Sequence, residues 1–487
     1  MSAASSNAVT PGEGPTPSTS RRPVVTAELF VIPFEEDGFI VYAPLRRAAF
    51  VANARVVNIL AGLKDGHFEP ASDPDGTLVE FLRRLQILDG GRETLPITTF
   101  EGVPKPTAIT LFLTTTCNLR CTYCYASSGD TAAKNMSLAV ATRGIDFVAA
   151  NAARRQAKTF GLGYHGGGEP FGNWSVMTDS LAYAGRKATE LGLDPPVASA
   201  VSNGVLRDDQ IDWIVDHLSG GMSVSFDGLP AVHDRHRLTV EGRGTSERVI
   251  YTLRRFDALG YAYGIRMTVT ADQIPQLADS VEFICEHFNP RRIQIEPAYD
   301  MGRWAGAPSA QGEAFIEAFR RADDRARQYA REIFFSAARV GVLTNHFCGV
   351  TTDTFALSVD GNVTACFEAF AEETPMAGLF FYGRPDNRGG AGYRFEMPVL
   401  DNLRRQSAKC REACSACFAK WSCAGDCYYR TVSVTGRNAF EATERCTITR
   451  ALTRDQLLSR IARSGGVFWH EPSDTTVLQS SDKETAA

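Results

Sequence analysis

Three short runs of strand-like apolar character lie near the start of the chain, each long enough for one β-strand. Two stretches follow in which apolar residues recur with the spacing of an amphipathic helix. The predicted strands are Ala27–Phe34, Gly38–Ala43 and Ala48–Val51, and the predicted helices are Asn53–Leu63 and Gly76–Leu88. Residues 24–100 are therefore predicted to form a small α+β module. Residues 1–23 are rich in Ser, Thr, Pro and Gly and predict a disordered tail.

From residue 107 to about 335, apolar strand-like runs alternate six times with helical patterns, which predicts parallel βα units. The strands are predicted at Ala108–Leu113, Thr159–Tyr164, Val197–Val201, Met222–Ser225, Tyr263–Val269 and Arg292–Ile295. The helices are predicted at Ser137–Arg155, Trp174–Leu191, Asp208–Leu218, Ser246–Leu259, Ile274–Phe288 and Gly312–Phe334. The predicted fold class is α/β, with a partial (β/α)6 TIM-like barrel over residues 101–340.

Beyond the barrel, residues 341–450 contain many cysteines and few long periodic segments, a composition that suits a domain organised by metal. Residues 451–487 are predicted to form a C-terminal helix and a polar tail.

Composition and charge reduce the number of function classes that fit the chain. The formal net charge is -5, from 51 basic and 56 acidic residues, so no electrostatic footprint for nucleic acid or an anionic membrane is present. No apolar stretch approaches the ~20 residues that span a bilayer. The first 22 residues lack the apolar core of a secretory signal, which predicts a cytoplasmic protein. In that reducing compartment, the twelve cysteines are expected to bind metal rather than form disulfides.

Three of these cysteines directly follow the first predicted barrel strand. Cys117, Cys121 and Cys124 have C-x3-C-x2-C spacing. A cubane iron-sulfur cluster normally takes four thiolates, so three leave one iron open to another ligand. The alternative is a structural zinc site, but zinc needs a fourth ligand and His165 is 41 residues further on. The spacing favours the cluster.

These cysteines, with Tyr123 before the third, resemble the motif of the radical S-adenosylmethionine (SAM) superfamily. The resemblance implies an oxidoreductase in which a 4Fe-4S cluster binds SAM and cleaves it reductively, so that a 5'-deoxyadenosyl radical abstracts a substrate hydrogen. It also implies an electron donor such as flavodoxin or ferredoxin. The cofactor carries the hard chemistry, and the protein positions it.

Loops after the predicted strands extend the resemblance. In the family, the Gly-Gly-Gly-Glu segment binds the methionyl amino group, and Arg237 is the candidate for the SAM carboxylate. Each loop alone is more often a turn or a cap, so their order along the chain is the evidence. The residues assigned to SAM in this way are Tyr123, Gly166, Gly167, Gly168, Glu169, Ser202, Asn203, Ser225, Asp227, Arg237 and Ile293.

A second cysteine pattern resembles the SPASM extension of radical SAM enzymes that mature peptides and proteins. Its order is C, G-x4-C, C-x2-C-x5-C-x3-C, C, formed by Cys348, Cys366, Cys414, Cys417, Cys423, Cys427 and Cys446. The resemblance implies two auxiliary iron-sulfur clusters of the 4Fe-4S type. One would use Cys414, Cys417, Cys423 and Cys446, and the other Cys348, Cys366 and Cys427. Cys410 is either a further ligand or an unligated thiol, and a pair of zinc sites is the alternative for this domain.

Two enzymatic functions fit. The first is maturation of a ribosomally synthesised peptide by a crosslink or similar modification, with residues 24–100 recognising a leader segment. The alternative for residues 24–100 is a subdomain that only caps the barrel. The second is a sulfatase-type maturase that forms formylglycine on a protein. Those maturases carry an Asp directly after the second auxiliary-domain cysteine, whereas Phe367 follows Cys366 here. A redox sensor or scaffold is the third class, and the full set of SAM loops argues against it.

Overall fold

In the computed structural model, residues 23–69, 72–130, 132–307, 312–386, 392–436 and 441–469 are described. Most of the predicted tail, residues 1–22, and residues 470–487 of the polar tail lie outside these ranges. The chain divides into two compact units. One contains residues up to 94 together with 461–471, and the other contains residues 95–460.

The smaller unit is a four-stranded antiparallel sheet with two helices. Its strands are β1 (Phe30–Glu35), β2 (Gly38–Ala43), β3 (Ala48–Asn53) and β15 (Val467–Trp469), in the order β1-β2-β3-β15. Its helices are α1 (Ala54–Asp65) and α2 (Thr77–Arg84). The three predicted strands and two predicted helices are confirmed. The fourth strand arrives from the far end of the chain and pairs with β3.

The larger unit is built on parallel strands. They are β4 (Ala108–Phe112), β5 (Gly161–His165), β6 (Val197–Ser202), β7 (Met222–Ser225), β8 (Tyr263–Val269), β9 (Arg292–Pro297) and β10 (Ile333–Phe334). The accompanying helices are α3 (Leu138–Arg154), α4 (Trp174–Glu190), α5 (Asp208–His217), α6 (Pro230–His236), α7 (Ser246–Ala258), α8 (Leu277–His287) and α9 (Gly312–Gln328). The six predicted strands form a parallel, unclosed barrel sheet, which confirms the predicted fold class.

Local chemistry explains these elements. Helix α3 begins after Ser137, whose hydroxyl accepts the Val140 N–H, and its buried residues recur at helical spacing against the sheet. Strand β8 alternates buried and half-buried positions along its whole length, as a strand with two different faces must. The apolar faces of the helices pack against the sheet, and together they form the buried core of the barrel.

The prediction for the last barrel helix is wrong at its end. Helix α9 ends at Gln328, and Ile333–Phe334 form strand β10, parallel to β9. The predicted helix Gly312–Phe334 merged two elements because the charged residues Arg331 and Glu332 between them also fit the polar face of a continuing helix. Periodicity alone does not separate a short buried strand from a helix end.

The region after the barrel continues the same sheet. Strand β11 (Ala356–Leu357) pairs parallel with β4, and β12 (Val363–Thr364), β13 (Phe381–Pro385) and β14 (Tyr393–Phe395) follow antiparallel. The helices are α10 (Ala377–Phe380), α11 (Met397–Ala413), α12 (Lys420–Cys423), α13 (Tyr428–Thr435) and α14 (Glu444–Arg463). The 17-residue α11 corrects the prediction that this region has few long elements. No helix within the described residues is both long and apolar enough to cross a membrane.

Candidate active site

The first three cysteines lie in the loop after β4 and are partly exposed. Two arginines hold the backbone of this loop. Arg120 donates to the carbonyl of Cys117 (2.9 Å), and Arg303 donates to the carbonyl of Cys121 (3.1 Å) while pairing with Asp130 (2.7 Å). The loop is therefore fixed by contacts that need no metal. Neither arginine was identified from the sequence, because nothing in the spacing marks them.

The electrostatic environment perturbs two of the three thiols. Burial, together with the nearby Glu169, Cys121 and Cys124, raises the pKa of Cys117 to about 12. Burial likewise raises the pKa of Cys121 to about 11, with Cys124 contributing. Iron binding must therefore displace protons from Cys117 and Cys121.

The donor set fits a cubane cluster better than one metal ion. Among the described residues, no three His, Cys, Asp or Glu side chains are grouped so as to hold one ion. A cubane instead takes one thiolate on each iron, so its ligands stand apart around the cluster. Cys117, Cys121 and Cys124 would hold three of its irons.

The glycine segment after β5 packs against the cysteine loop. A Cβ on Gly168 would lie 2.2 Å from the carbonyl oxygen of Thr116, so only glycine fits there. The same approach lets the Glu169 N–H donate to that oxygen (2.9 Å). Gly166 has a φ of +129°, in the region that favours glycine. The segment is thereby held beside the cysteine loop.

Glu169 is 5% exposed, and its carboxylate accepts from the backbone N–H groups of Asn203 (2.8 Å) and Phe171 (3.4 Å). Burial raises the pKa of this carboxyl group to about 7 even though these hydrogen bonds oppose the shift. A buried carboxylate next to the cysteine loop is suited to an ammonium group, which would relieve the cost of burying the negative charge.

Asn203 connects the loop after β6 to the cysteine loop. Its amide nitrogen donates to Oδ1 of Asn118 (2.8 Å) and lies 3.6 Å from the sulfur of Cys117. The neighbouring Ser202 hydroxyl accepts the Gly204 N–H (3.1 Å) and also bonds to Glu169. The structure thus brings together the predicted residues that follow β4, β5 and β6.

Tyr123, Asp227 and Arg237 form a second buried group. The Tyr123 hydroxyl donates to Asp227, and Arg237 donates to both oxygens of Asp227 (2.9 and 3.3 Å). The Arg237 guanidinium lies over the Tyr123 ring, 5.2 Å from its centroid. Burial raises the pKa of Asp227, but Arg237 and the other partners hold it below its usual value. The predicted SAM-carboxylate residue Arg237 is therefore engaged by Asp227 here.

The other two predicted SAM residues lie on strands. Ser225 is the last residue of β7 and pairs in register with Arg266 of β8. Ile293, on β9, is 1% exposed and belongs to the barrel core. The structure does not bring Ile293 to the surface that carries the other predicted residues.

Seven cysteines of the second pattern fall into two groups. Burial raises the pKa of Cys427 well above its usual value, and Cys348 and Cys366 are close enough to raise it further. Burial does the same for Cys423, where the neighbouring thiols are Cys446 and Cys414.

Cys417 and Cys410 are the other two cysteines of this region. Cys417 is also within reach of Cys446. Cys410 lies on α11, and its side chain is outside the described part of the structure. The thiols that neighbour one another are thus Cys348, Cys366 and Cys427 in one group, and Cys414, Cys417, Cys423 and Cys446 in the other.

A cluster of buried charges near the barrel was not found from the sequence. Arg445 pairs with Glu296 (3.1 Å) and Asp426, while Arg430 pairs with Glu368 (3.0 Å). Within the described residues, Oε2 of Glu368 and Nη1 of Arg430 are buried without a hydrogen-bond partner. Glu296, a carboxylate between the apolar residues Ile295 and Pro297 at the end of β9, is the signal that could have revealed the cluster.

Part of the sequence matches a known family, and the fold of the chain is similar to those of solved structures. Residues 111–284 match the model of the Radical SAM superfamily. None of the curated protein sequences compared matches the chain. A structure of native anSMEcpe with bound AdoMet and Cp18Cys peptide is 18% identical, with 74% of this chain and 99% of that chain covered and a TM-score of 0.57.

Two further structures resemble the chain. Native anSMEcpe with bound AdoMet is 17% identical, with 74% of this chain and 100% of that chain covered and a TM-score of 0.58. SuiB of Streptococcus suis bound to S-adenosylmethionine is 14% identical, with 86% and 99% covered and a TM-score of 0.47. At these identities the likeness concerns the fold.

Proposed function

We propose that the chain is a radical SAM enzyme, since residues 111–284 match the model of that superfamily, and that it modifies a ribosomally synthesised peptide by forming a crosslink or a similar bond. The observation that carries the proposal is the gathering of seven cysteines into two groups within the same compact unit as that domain. Such an arrangement suits two auxiliary clusters, and the resemblance to the SPASM extension links such clusters to peptide maturation. The anSMEcpe structure with a bound peptide has the same fold.

The residues around the cysteine loop have separate tasks in this proposal. When loaded, a cluster on Cys117, Cys121 and Cys124 supplies the electron for reductive cleavage of SAM. The Glu169 carboxylate accepts hydrogen bonds from the ammonium group of SAM. The backbone N–H of Asn203 donates to the same carboxylate and holds it in place. Arg237 is the residue proposed to bind the SAM carboxylate, and its hydrogen bond to Asp227 orients its guanidinium group.

Phe367 supports peptide crosslinking over formylglycine formation. Its ring packs 5.0 Å from His165 and 5.8 Å from Phe112, with the latter pair perpendicular. The position that holds an Asp in sulfatase-type maturases is thus part of an aromatic cluster here. The next residue in the sequence, Glu368, accepts hydrogen bonds from Arg430 through its Oε1 atom. The proposal also assigns the enzyme a cytoplasmic location and a flavodoxin or ferredoxin as electron donor.

The test is co-expression of the enzyme with the short peptide encoded beside its gene, followed by mass spectrometry under anaerobic conditions. Each crosslink should remove two hydrogens, and a Cys124→Ala enzyme should leave the peptide unchanged. The proposal fails if that peptide stays unmodified while a sulfatase-derived Cys or Ser peptide becomes formylglycine.

The proposed domain roles can be tested separately. Deleting residues 1–96 should strongly weaken peptide binding, because strand addition supplies much of the contact in such complexes. The matched variant should also end at residue 460, since β15 pairs with β3 and would otherwise lose its sheet. Iron content should survive both deletions. Retained peptide affinity would place the leader site outside this unit.

A further inference from the structure

The small sheet has two edges of different character. Strand β1 forms one edge, contains Pro33, and has a register irregularity between Pro33 and Glu35. Proline offers no N–H, and a bulge twists a strand away from an incoming partner, so both features block strand addition. An extended peptide is therefore not expected to add at β1.

The other side of the sheet is held by a short segment of the chain itself. Strand β15 pairs with only three residues of β3, Ala48, Ala49 and Phe50. Residues 51–53 of β3 have no strand on that side among the described residues, and Val51 is 47% exposed. Half of the β3 edge therefore remains open for backbone hydrogen bonds.

Two glycines connect helix α14 to strand β15. Gly465 and Gly466 have φ of +73° and +102°, and helix α14 ends just before them, at Arg463. Their N–H groups donate to the carbonyls of Ala462 (3.3 Å) and Ile461 (2.9 Å), which caps the helix. The helix end is thus completed without β15, and the pairing of β15 with β3 can be lost without unpacking that helix.

The β3 edge selects for apolar side chains at alternate positions. Ala48, Phe50 and Ala52 face the apolar cluster that includes Leu82 of α2, and Val467, directly opposite Phe50, packs against this cluster. Because strand side chains alternate between faces, a segment on this edge needs small or aliphatic residues two apart. Val467 fills one such position.

We infer that the β3 edge is the docking surface for the leader of the peptide substrate, and that the chain's own strand β15 occupies this surface until an extended, alternately apolar segment replaces it. The identity of the occupant rests on the proposed function. A longer segment pairs with all six residues of β3, whereas β15 pairs with three, so exchange gains backbone hydrogen bonds.

The test uses the chain's own strand as a probe. A fluorescein-labelled peptide of residues 463–471 is titrated into the full chain and into a variant that ends at Ser464, with fluorescence anisotropy as the readout. The shortened chain should bind the probe at least about tenfold more tightly, because its edge is free. Val467→Asp in the full chain should produce the same gain without deletion, since it places a charge against the apolar cluster.

Val31→Asp is the matched control, because Val31 is an exposed residue of the opposite edge strand. It should leave probe affinity at the full-chain value. If neither the shortened chain nor Val467→Asp gains affinity while both keep their far-ultraviolet circular dichroism, the exchange is refuted.

A competition experiment then identifies the occupant. The peptide encoded beside the gene should displace the probe from the shortened chain. If this peptide is modified yet does not displace the probe, the docking surface is wrong and the proposed function stands. If the probe binds but the peptide is neither bound nor modified, the exchange of β15 is supported. In that case both the assignment of the edge to a leader and the proposed function are refuted.

Discussion

The two cysteine regions of the larger unit differ in how their thiols are brought together. Cys117, Cys121 and Cys124 lie within eight residues of one loop, and Arg120 and Arg303 hold its backbone. The other seven cysteines span residues 348–446 and converge only through the fold of several short elements. The first arrangement is local and preformed, and the second depends on tertiary structure. A metal should therefore contribute more to folding in the second region.

Removing one thiol of the first region should have the largest effect on catalysis. Cys124→Ala should abolish 5'-deoxyadenosine formation, because this thiolate supports the iron that SAM must reach. Anaerobic reconstitution should give roughly twelve irons for the parent enzyme, and roughly eight when all three cysteines are changed. Cys285→Ala is the control, since Cys285 is buried in helix α8 apart from both patterns. A triple variant with full iron content would refute the cluster assignment.

Removing a thiol of the second region should instead separate cleavage of SAM from peptide modification. Cys423→Ala should retain some uncoupled 5'-deoxyadenosine formation while losing peptide product and iron. Its melting temperature should fall more than that of Cys124→Ala, since metal binding and folding are coupled more tightly here. Equal losses of stability in both variants would remove the contrast between the regions.

The preformed character of the first region can be tested in iron-free protein. Asp227→Asn removes the charge that Arg237 pairs with inside the protein, and breaking such a buried pair costs about 3 kcal/mol of unfolding free energy. Asp209→Asn breaks an exposed pair with Arg207 and should leave the free energy of unfolding nearly unchanged, because solvent screens such a pair. Chemical denaturation of both variants provides the comparison. Similar costs would mean that the Asp227 group forms only with the cluster.

The smallest expected effect is a pH dependence of SAM binding. Burial raises the pKa of Glu169 to about 7, so its carboxylate becomes largely ionised only above that pH. Because an ammonium ligand requires the ionised form, SAM affinity should rise several-fold between pH 6 and 7.5. In the free protein the sign is opposite: the raised pKa stabilises the fold fully below the ordinary value of 4.5, and this stabilisation is lost as the pH rises through 7.

Glu169→Gln should flatten the pH dependence of SAM affinity. Isothermal titration at several pH values, with the reconstituted enzyme, gives the profile. An unchanged slope in this variant would assign the titration to another group.

Much of the fold could be predicted because its patterns are local. Strands β7 and β8 lie where the alternation placed them, at Met222–Ser225 and Tyr263–Val269. The cysteine loop was equally accessible, because three ligands in eight residues need no tertiary information. In these parts of the chain, neighbouring residues carry the signal.

The remaining features depend on distant partners. Strands β11 and β12 contain two residues each, too few to show a period. Strand β15 pairs with a strand more than four hundred residues earlier, and no local pattern records that. Arg237 and Asp227 were both assigned to SAM, but their pairing with each other was not predicted, since a short interval in sequence does not reveal which buried charges pair. Each of these features depends on tertiary contacts that no local sequence pattern records.

The parallel pairing of β11 with β4 has a consequence for protein engineering. Strand β4, which leads into the loop that carries Cys117, Cys121 and Cys124, lies between β5 and β11, so barrel and extension share one continuous hydrogen-bonded sheet of eleven strands. Excising the extension would leave an unpaired strand edge at β4, next to this cysteine loop. The cysteine-rich region therefore cannot be removed without exposing an edge of the barrel sheet. Chimeras between relatives should exchange the barrel and the extension together.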